Sequence, residues 1–235
     1  VGKDLVCGIE LSKSNYGNGY YVIAGSAGEM VYSLNGTTWT PITPFTSDVI
    51  TGLAYGNGRF LAVDSAGNIF KANNPNATWE NIYNAGSIIL ESIRFINSSF
   101  VVVGDGGYIA LSKDGLVWET KPSGTTQNLI DIAYGDGKYI AVGYGGVVLY
   151  SINGDDWFNV SDSQFTTNYR HIVYGTGLFV TGGQGGAIRY SNDGITWITA
   201  TTDSQTSIGW IRGFAYAENR YYAVMYTSSG SGEIW

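Results

Sequence analysis

Residues 132–157 read IAYGDGKYIAVGYGGVVLYSINGDDW. A short apolar and aromatic run, residues 132–134, meets a Gly-Asp-Gly turn. Residues 138–142 follow with the β-branched and aromatic side chains that suit a pleated surface. A second glycine turn, Gly143-Tyr144-Gly145-Gly146, leads into residues 147–151. Asn153-Gly154 is then the pair expected to close a tight hairpin with positive φ, and Trp157 opens a fourth strand. No helical i, i+3, i+4 pattern interrupts the series, which predicts an all-β unit of four short strands.

The unit repeats. Tyr-Gly-x-Gly begins at Tyr16, Tyr55, Tyr134 and Tyr174, with degraded copies at Phe95 and Tyr216, and the steps are 39, 40, 39, 40 and 42 residues. Tryptophan after a polar turn recurs at 39, 79, 118, 157 and 197. Four antiparallel strands every 40 residues or so match the blade of a β-propeller, in which neighbouring blades bury both faces of each sheet. A solenoid is the alternative, but solenoids need polar caps, and neither end looks like one. The expectation is therefore a six-bladed β-propeller of four-stranded blades, one domain over residues 1–235. Third strands are expected to start at glycines such as Gly28, Gly67 and Gly186. Gly232-Glu233-Ile234-Trp235 matches such a third strand, so the N-terminal strand, residues 1–6, is expected to complete the last blade in a three-plus-one closure.

Composition narrows the function. The 235 residues are 44% hydrophobic and 13% charged, with 34 glycines and no collagen period, which excludes disorder and a triple helix. No apolar run is long enough for a membrane span. A net charge of −7 argues against binding a phosphate backbone. One cysteine, Cys7, and one histidine, His171, cannot build a zinc site, and no cofactor is expected.

The turns before the recurring tryptophans carry a family resemblance. Residues 112–118 (Ser-Lys-Asp-Gly-Leu-Val-Trp) and 191–197 (Ser-Asn-Asp-Gly-Ile-Thr-Trp) resemble the Asp-box of BNR-type propellers. Residues 33–39 and 151–157 keep the pattern with asparagine, residues 73–79 are a weaker copy, and the sixth unit lacks it. The spacing is one residue shorter than the commonest box. Such boxes occur in sialidases, other glycosidases, assembly factors, sorting receptors and tail or adhesion proteins, so the resemblance speaks for fold more than for activity. Phrases like these are also similar to those of bacterial surface proteins and phage or bacteriocin tail fibres, which implies an extracellular or surface-displayed setting. Physically, the Asp or Asn accepts backbone N–H groups, the glycine takes positive φ, and the tryptophan plugs between strands.

These turns and the Tyr-Gly-x-Gly corners share one rim of the expected propeller and are monotonous. The opposite loops vary, which suits a site: residues 43–48, 85–91, 121–128, 161–170 and 201–210, with Asp105, Tyr144 and Gln184 in shorter loops. Near the start of the first strands lie Glu91, Asp131, Tyr169, Arg170, His171, Trp210 and Arg212. They are expected to gather at the mouth of the central channel. Trp210 stands outside the tryptophan period, and a ring beside polar groups could stack on the C–H face of a sugar. His171, Arg170 and Arg212 could equally be structural. The leading expectation is a non-enzymatic recognition module for a glycan or a cell-surface protein. A sialidase-like or other glycoside hydrolase is the alternative, requiring clustered arginines or paired carboxylates. The Arg-Ile-Pro element of sialidases is missing, and Glu91 with Asp131 is the carboxylate pair to test. A scaffold propeller in complex assembly is the third reading.

Overall fold

The computed structural model describes residues 13–201, 209–226 and 232–234. Among these there are five four-stranded antiparallel sheets and one of three strands. Two compact units divide the chain, Val1–Phe100 with Lys113–Val117 and Val101–Ser112 with Trp118–Trp235. The division falls in the third repeat, whose phrase reads Phe95-Ile96-Asn97-Ser98 instead of Tyr-Gly-x-Gly. The expected pairing of residues 1–6 lies outside the described residues.

In the first unit, one sheet comprises Lys13–Gly17, Tyr20–Ala24, Met30–Ser33 and Thr40–Ile42, and the next Ile50–Gly56, Arg59–Asp64, Asn68–Ala72 and Glu80–Asn84. Val22, Ala24, Met30 and Ile42 pack with Ile50, Leu53, Phe60, Phe70 and Trp79 to form its core. The third sheet (Leu90–Ile96, Ser99–Gly104, Tyr108–Ser112, Glu119–Thr120) contains the division. In the second unit, Leu129–Gly135, Lys138–Gly143, Val148–Ser151 and Phe158–Asn159 form the fourth sheet. Tyr169–Gly175, Leu178–Gly183, Ile188–Ser191 and Ile198–Thr199 form the fifth. The sixth has Trp210–Ala217, Arg220–Tyr226 and Gly232–Ile234. Ile140, Val142 and Val148 pack with Ile172, Phe179 and Trp197.

The Tyr-Gly-x-Gly phrases are the tight hairpins. Gly135 pairs with Lys138 across Asp136 (φ 48°) and Gly137 (φ 74°), a two-residue turn with both central φ positive. The same turn recurs at Asn18-Gly19, Asn57-Gly58, Asn97-Ser98, Thr176-Gly177 and Glu218-Asn219. Asn153-Gly154, expected to be such a hairpin, sits instead in a longer turn of residues 152–157 between two strands. There the Asn153 Oδ1 accepts the N–H groups of Asp155 and Asp156, each at 2.9 Å. Ser151 Oγ accepts the Gly154 N–H at 2.9 Å, and the Trp157 indole donates to the Gly154 carbonyl at 2.9 Å. Asp193 holds Ile195 and Thr196 in the same way at 2.8 and 2.7 Å, as Asn35 holds Thr37 and Thr38. Trp79, Trp157 and Trp197 are buried, whereas Trp39 and Trp118 are half-buried. The fourth strand opens at Phe158, one residue beyond Trp157, whose ring turns inward. Third strands likewise open beyond the expected glycines, at Met30, Asn68 and Ile188, because Gly28, Gly67 and Gly186 take φ of 68°, 83° and 70° in the preceding turns.

The first glycine of each phrase has a different duty. A Cβ on Gly17, Gly56, Gly135 or Gly175 would lie 2.0, 2.2, 2.1 or 2.3 Å from the Cγ of Tyr55, Phe95, Tyr174 or Tyr216. Each of these rings opens the phrase of the following repeat, so it rests on bare backbone of the sheet before it. Gly135→Ala should therefore lower stability by about 1–3 kcal/mol. In a Tyr174→Ala background the same change should cost much less; additive costs in urea unfolding would dismiss the contact as a constraint.

At Asp193, burial pushes the carboxyl up, but bonds from the Ile195 and Thr196 N–H groups and the Ser191 hydroxyl outweigh it and hold the group at about 2. The ordinary carboxylate lies near 3.9. The depressed value gives stability that is present above about pH 4 and is lost as pH falls toward 2. Asp193→Asn should keep its stability at pH 7, since asparagine makes the same bonds at residues 35 and 153. Melting temperatures from pH 5 to 2 should fall less steeply in the variant, and an unchanged slope would contradict the assignment.

Candidate functional site

The first strand carries a β-bulge near its start in the second, fourth, fifth and sixth sheets, between Ile50 and Gly52, Leu129 and Asp131, Tyr169 and His171, and Ile211 and Gly213. The residues left at the bulge are Thr51, Ile130, Arg170 and Arg212. A bulge interrupts the two-residue alternation and re-aims a side chain. In the second unit this brings two arginines to one aromatic cluster. The Arg170 Cζ lies 4.8 Å from the Trp210 ring centroid and 5.3 Å from that of Tyr144, over the face of each. Arg212 approaches the same Trp210 ring at 6.0 Å. Tyr144, Arg170 and Trp210 are half-buried and Arg212 is exposed. The Nε of Arg170 is buried without a hydrogen-bond partner among the described residues.

The Tyr144 loop is held rigidly. Its N–H donates to the Asn128 carbonyl at 2.9 Å, and the next N–H, of Gly145, donates to the Asn168 Oδ1 at 2.9 Å. Asn168 also accepts the Gln184 N–H on its carbonyl at 3.0 Å. Asn128 repeats the device one repeat earlier, its Oδ1 taking the Gly106 N–H at 3.0 Å. These asparagines were not among the expected site residues, although both stand immediately before a first strand.

Other expected residues are employed elsewhere. Asp131 is buried; its Oδ1 accepts the Ile132 N–H at 2.9 Å and its Oδ2 the Ile172 N–H at 3.2 Å, tying the fourth sheet to the fifth. His171 Nδ1 lies 3.7 Å from that carboxylate. Tyr169 is a core residue, not a ligand-facing one, because strand alternation turns it under Phe165, where its hydroxyl accepts the Arg189 Nε–H at 3.0 Å. Arg189, which the sequence reading missed, is also buried. It donates to the Gln164 carbonyl at 2.7 Å and lies 4.4 Å over the Phe165 ring. Its signal was a polar residue where the preceding repeat has Leu149. Gln184 is exposed. Asp105 is partly buried, its Oδ1 lacks a partner among the described residues, and burial raises its carboxyl above the ordinary range. Glu91 belongs to the first unit.

Among solved structures, YCF48 bound to D1 peptide is similar with a TM-score of 0.73 and 16% identity, over 97% of this chain and 77% of that one. YCF48 from Cyanidioschyzon merolae gives 0.72 and 14%, over 95% and 84%. The computationally designed Ika8 protein gives 0.70 and 11%, over 96% and 70%. This is a β-propeller fold. No family model and no curated protein matches the chain, and at these identities the likeness carries the fold alone.

The cluster joins the fourth, fifth and sixth sheets through Tyr144, Arg170 and Trp210. Chemically it sets two guanidinium groups against ring faces, with the Arg170 Nε–H lacking an acceptor among the described residues. Among the described residues no group of three His, Cys, Asp or Glu is placed to hold a metal, and no helix is long and apolar enough to cross a membrane. Asp131, paired with Glu91 in the alternative hydrolase reading, is occupied by two backbone amides. Asp131→Ala should therefore cost about 1–3 kcal/mol, the price of orphaned buried donors, whereas Gln184→Ala should stay within about 0.5 kcal/mol. Equal midpoints in guanidinium unfolding would deny Asp131 its structural role.

Proposed function

We propose that the chain is a non-enzymatic recognition module whose second unit grips a segment of a partner protein through Tyr144, Arg170, Trp210 and Arg212. The observation that carries this reading is the half-buried Arg170 guanidinium, set over two aromatic rings with its Nε–H unsatisfied. Aromatic residues and arginine are the side chains that dominate binding hot spots. A glycan is the weaker occupant, because stacking on a sugar needs a free ring face and Arg170 already lies over that of Trp210. That a similar propeller, YCF48, is solved bound to a peptide supports the protein reading.

The same reading takes the tryptophan turns as Asp-boxes and the six repeats as six blades of one domain, with residues 1–6 supplying the last strand. It sets the module outside the cell or on a surface. The supports are the repeat spacing and the shared side-chain bonds of the turns.

The test is a display selection of peptides alongside a glycan array, with wild type and Trp210→Ala. Peptide binding should weaken at least tenfold in the variant while melting temperature is nearly unchanged. Selective glycan capture would replace the protein reading with the sugar one, and turnover of a generic glycosidase substrate would end the non-enzymatic one.

A further inference from the structure

We infer that the group received at this site is a carboxylate of an acidic peptide segment, held edge-on by Arg170 with Arg212 as second cation. The inference rests on the recognition reading above and gives its partner a chemistry. Arg170 carries five N–H donors in a rigid plane. Among the described residues its guanidinium lies over two ring faces, Tyr144 at 5.3 Å and Trp210 at 4.8 Å. Ring faces attract the cation but accept none of its in-plane hydrogen bonds. Those donors point along the guanidinium edge, and a buried guanidinium nitrogen without an acceptor is costly. An oxyanion at that edge would complete the arrangement.

Shape narrows the oxyanion. A carboxylate is planar and matches the guanidinium fork with two parallel bonds. Charge narrows the carrier. The chain as a whole bears −7, so a uniformly acidic surface is repelled at a distance, while Arg170 and Arg212 place two cations beside the Trp210 ring. A short segment with a few acidic residues satisfies both conditions. The carboxylate can come from Asp or Glu side chains or from a chain terminus.

The experiment titrates the isotope-labelled protein with four probes while the Arg170 Nε–H and Trp210 indole N–H signals are followed by NMR. The probes are a twelve-residue Gly/Ser peptide with three glutamates and an amidated C-terminus, its glutamine counterpart, that counterpart with a free C-terminus, and inorganic phosphate. The glutamate peptide should shift both signals saturably, and the amidated glutamine peptide should not. Arg170→Lys should weaken binding about tenfold, and Arg212→Gln, at an exposed position, by a smaller factor; melting temperatures of both should match wild type. Response to the free C-terminus alone would assign the carboxylate to a chain end, which upholds the chemistry. Phosphate acting at lower concentration than any peptide would overturn the inference. So would equal binding of the glutamate and glutamine peptides with a silent Arg170 signal. In that last case loss of binding in Trp210→Ala would leave the recognition reading standing, whereas no peptide binding at all would remove both.

Discussion

An aromatic ring resting on glycine backbone is the contact from which the rest of this architecture follows. At Gly17, Gly56, Gly135 and Gly175 the ring of the next repeat sits closer than any side chain would allow. The contact fixes where a sheet meets its predecessor, and it lies at the mouth of a two-residue turn whose geometry is fixed too. With both held, the apolar strands behind the turn face one another in a constant register, and Ile140, Val148 and Phe179 can interdigitate. Burial provides the bulk of the stabilisation; the ring and glycine pair decides which surfaces are buried.

The tryptophan turns solve a different problem. A loop of six residues leaves several amides without sheet partners, and such groups are costly when unpaired. One Asp or Asn side chain takes two of them, the neighbouring serine takes a third, and the indole closes on the glycine carbonyl. The turn is thereby self-contained, which allows it to recur with little dependence on what surrounds it.

The repeat, the strand content and the turn chemistry were legible in the sequence because they depend on local residues at fixed spacing. The assignment of Asn153-Gly154 to a tight hairpin failed for an instructive reason. The pair is favoured there intrinsically, but the Asn153 side chain is consumed by amides further along the turn, and Asp136-Gly137 does the hairpin work instead. At the candidate site, Tyr169, Arg170 and His171 looked like one constellation. Alternation and a bulge separate them: Tyr169 goes into the core, Arg170 to the aromatic cluster, and His171 beside Asp131. A bulge leaves no mark in a single sequence, so that parity was hidden. Arg189 was hidden for the opposite reason, since a buried cation is uncommon and nothing local to its strand announces one.

Asn168 gives one residue two loops to hold, the Tyr144 turn through its amide and the Gln184 turn through its carbonyl, and Asn128 does the same for the neighbours. Successive loops are consequently stapled in series, like links of a bracelet. On the recognition reading proposed above, a visiting molecule would meet a surface that has already surrendered its conformational freedom, so little of the association free energy would be spent on ordering it. Substitutions elsewhere in these loops could then, on that reading, change what is recognised while the loops stay held, provided the two asparagines remain.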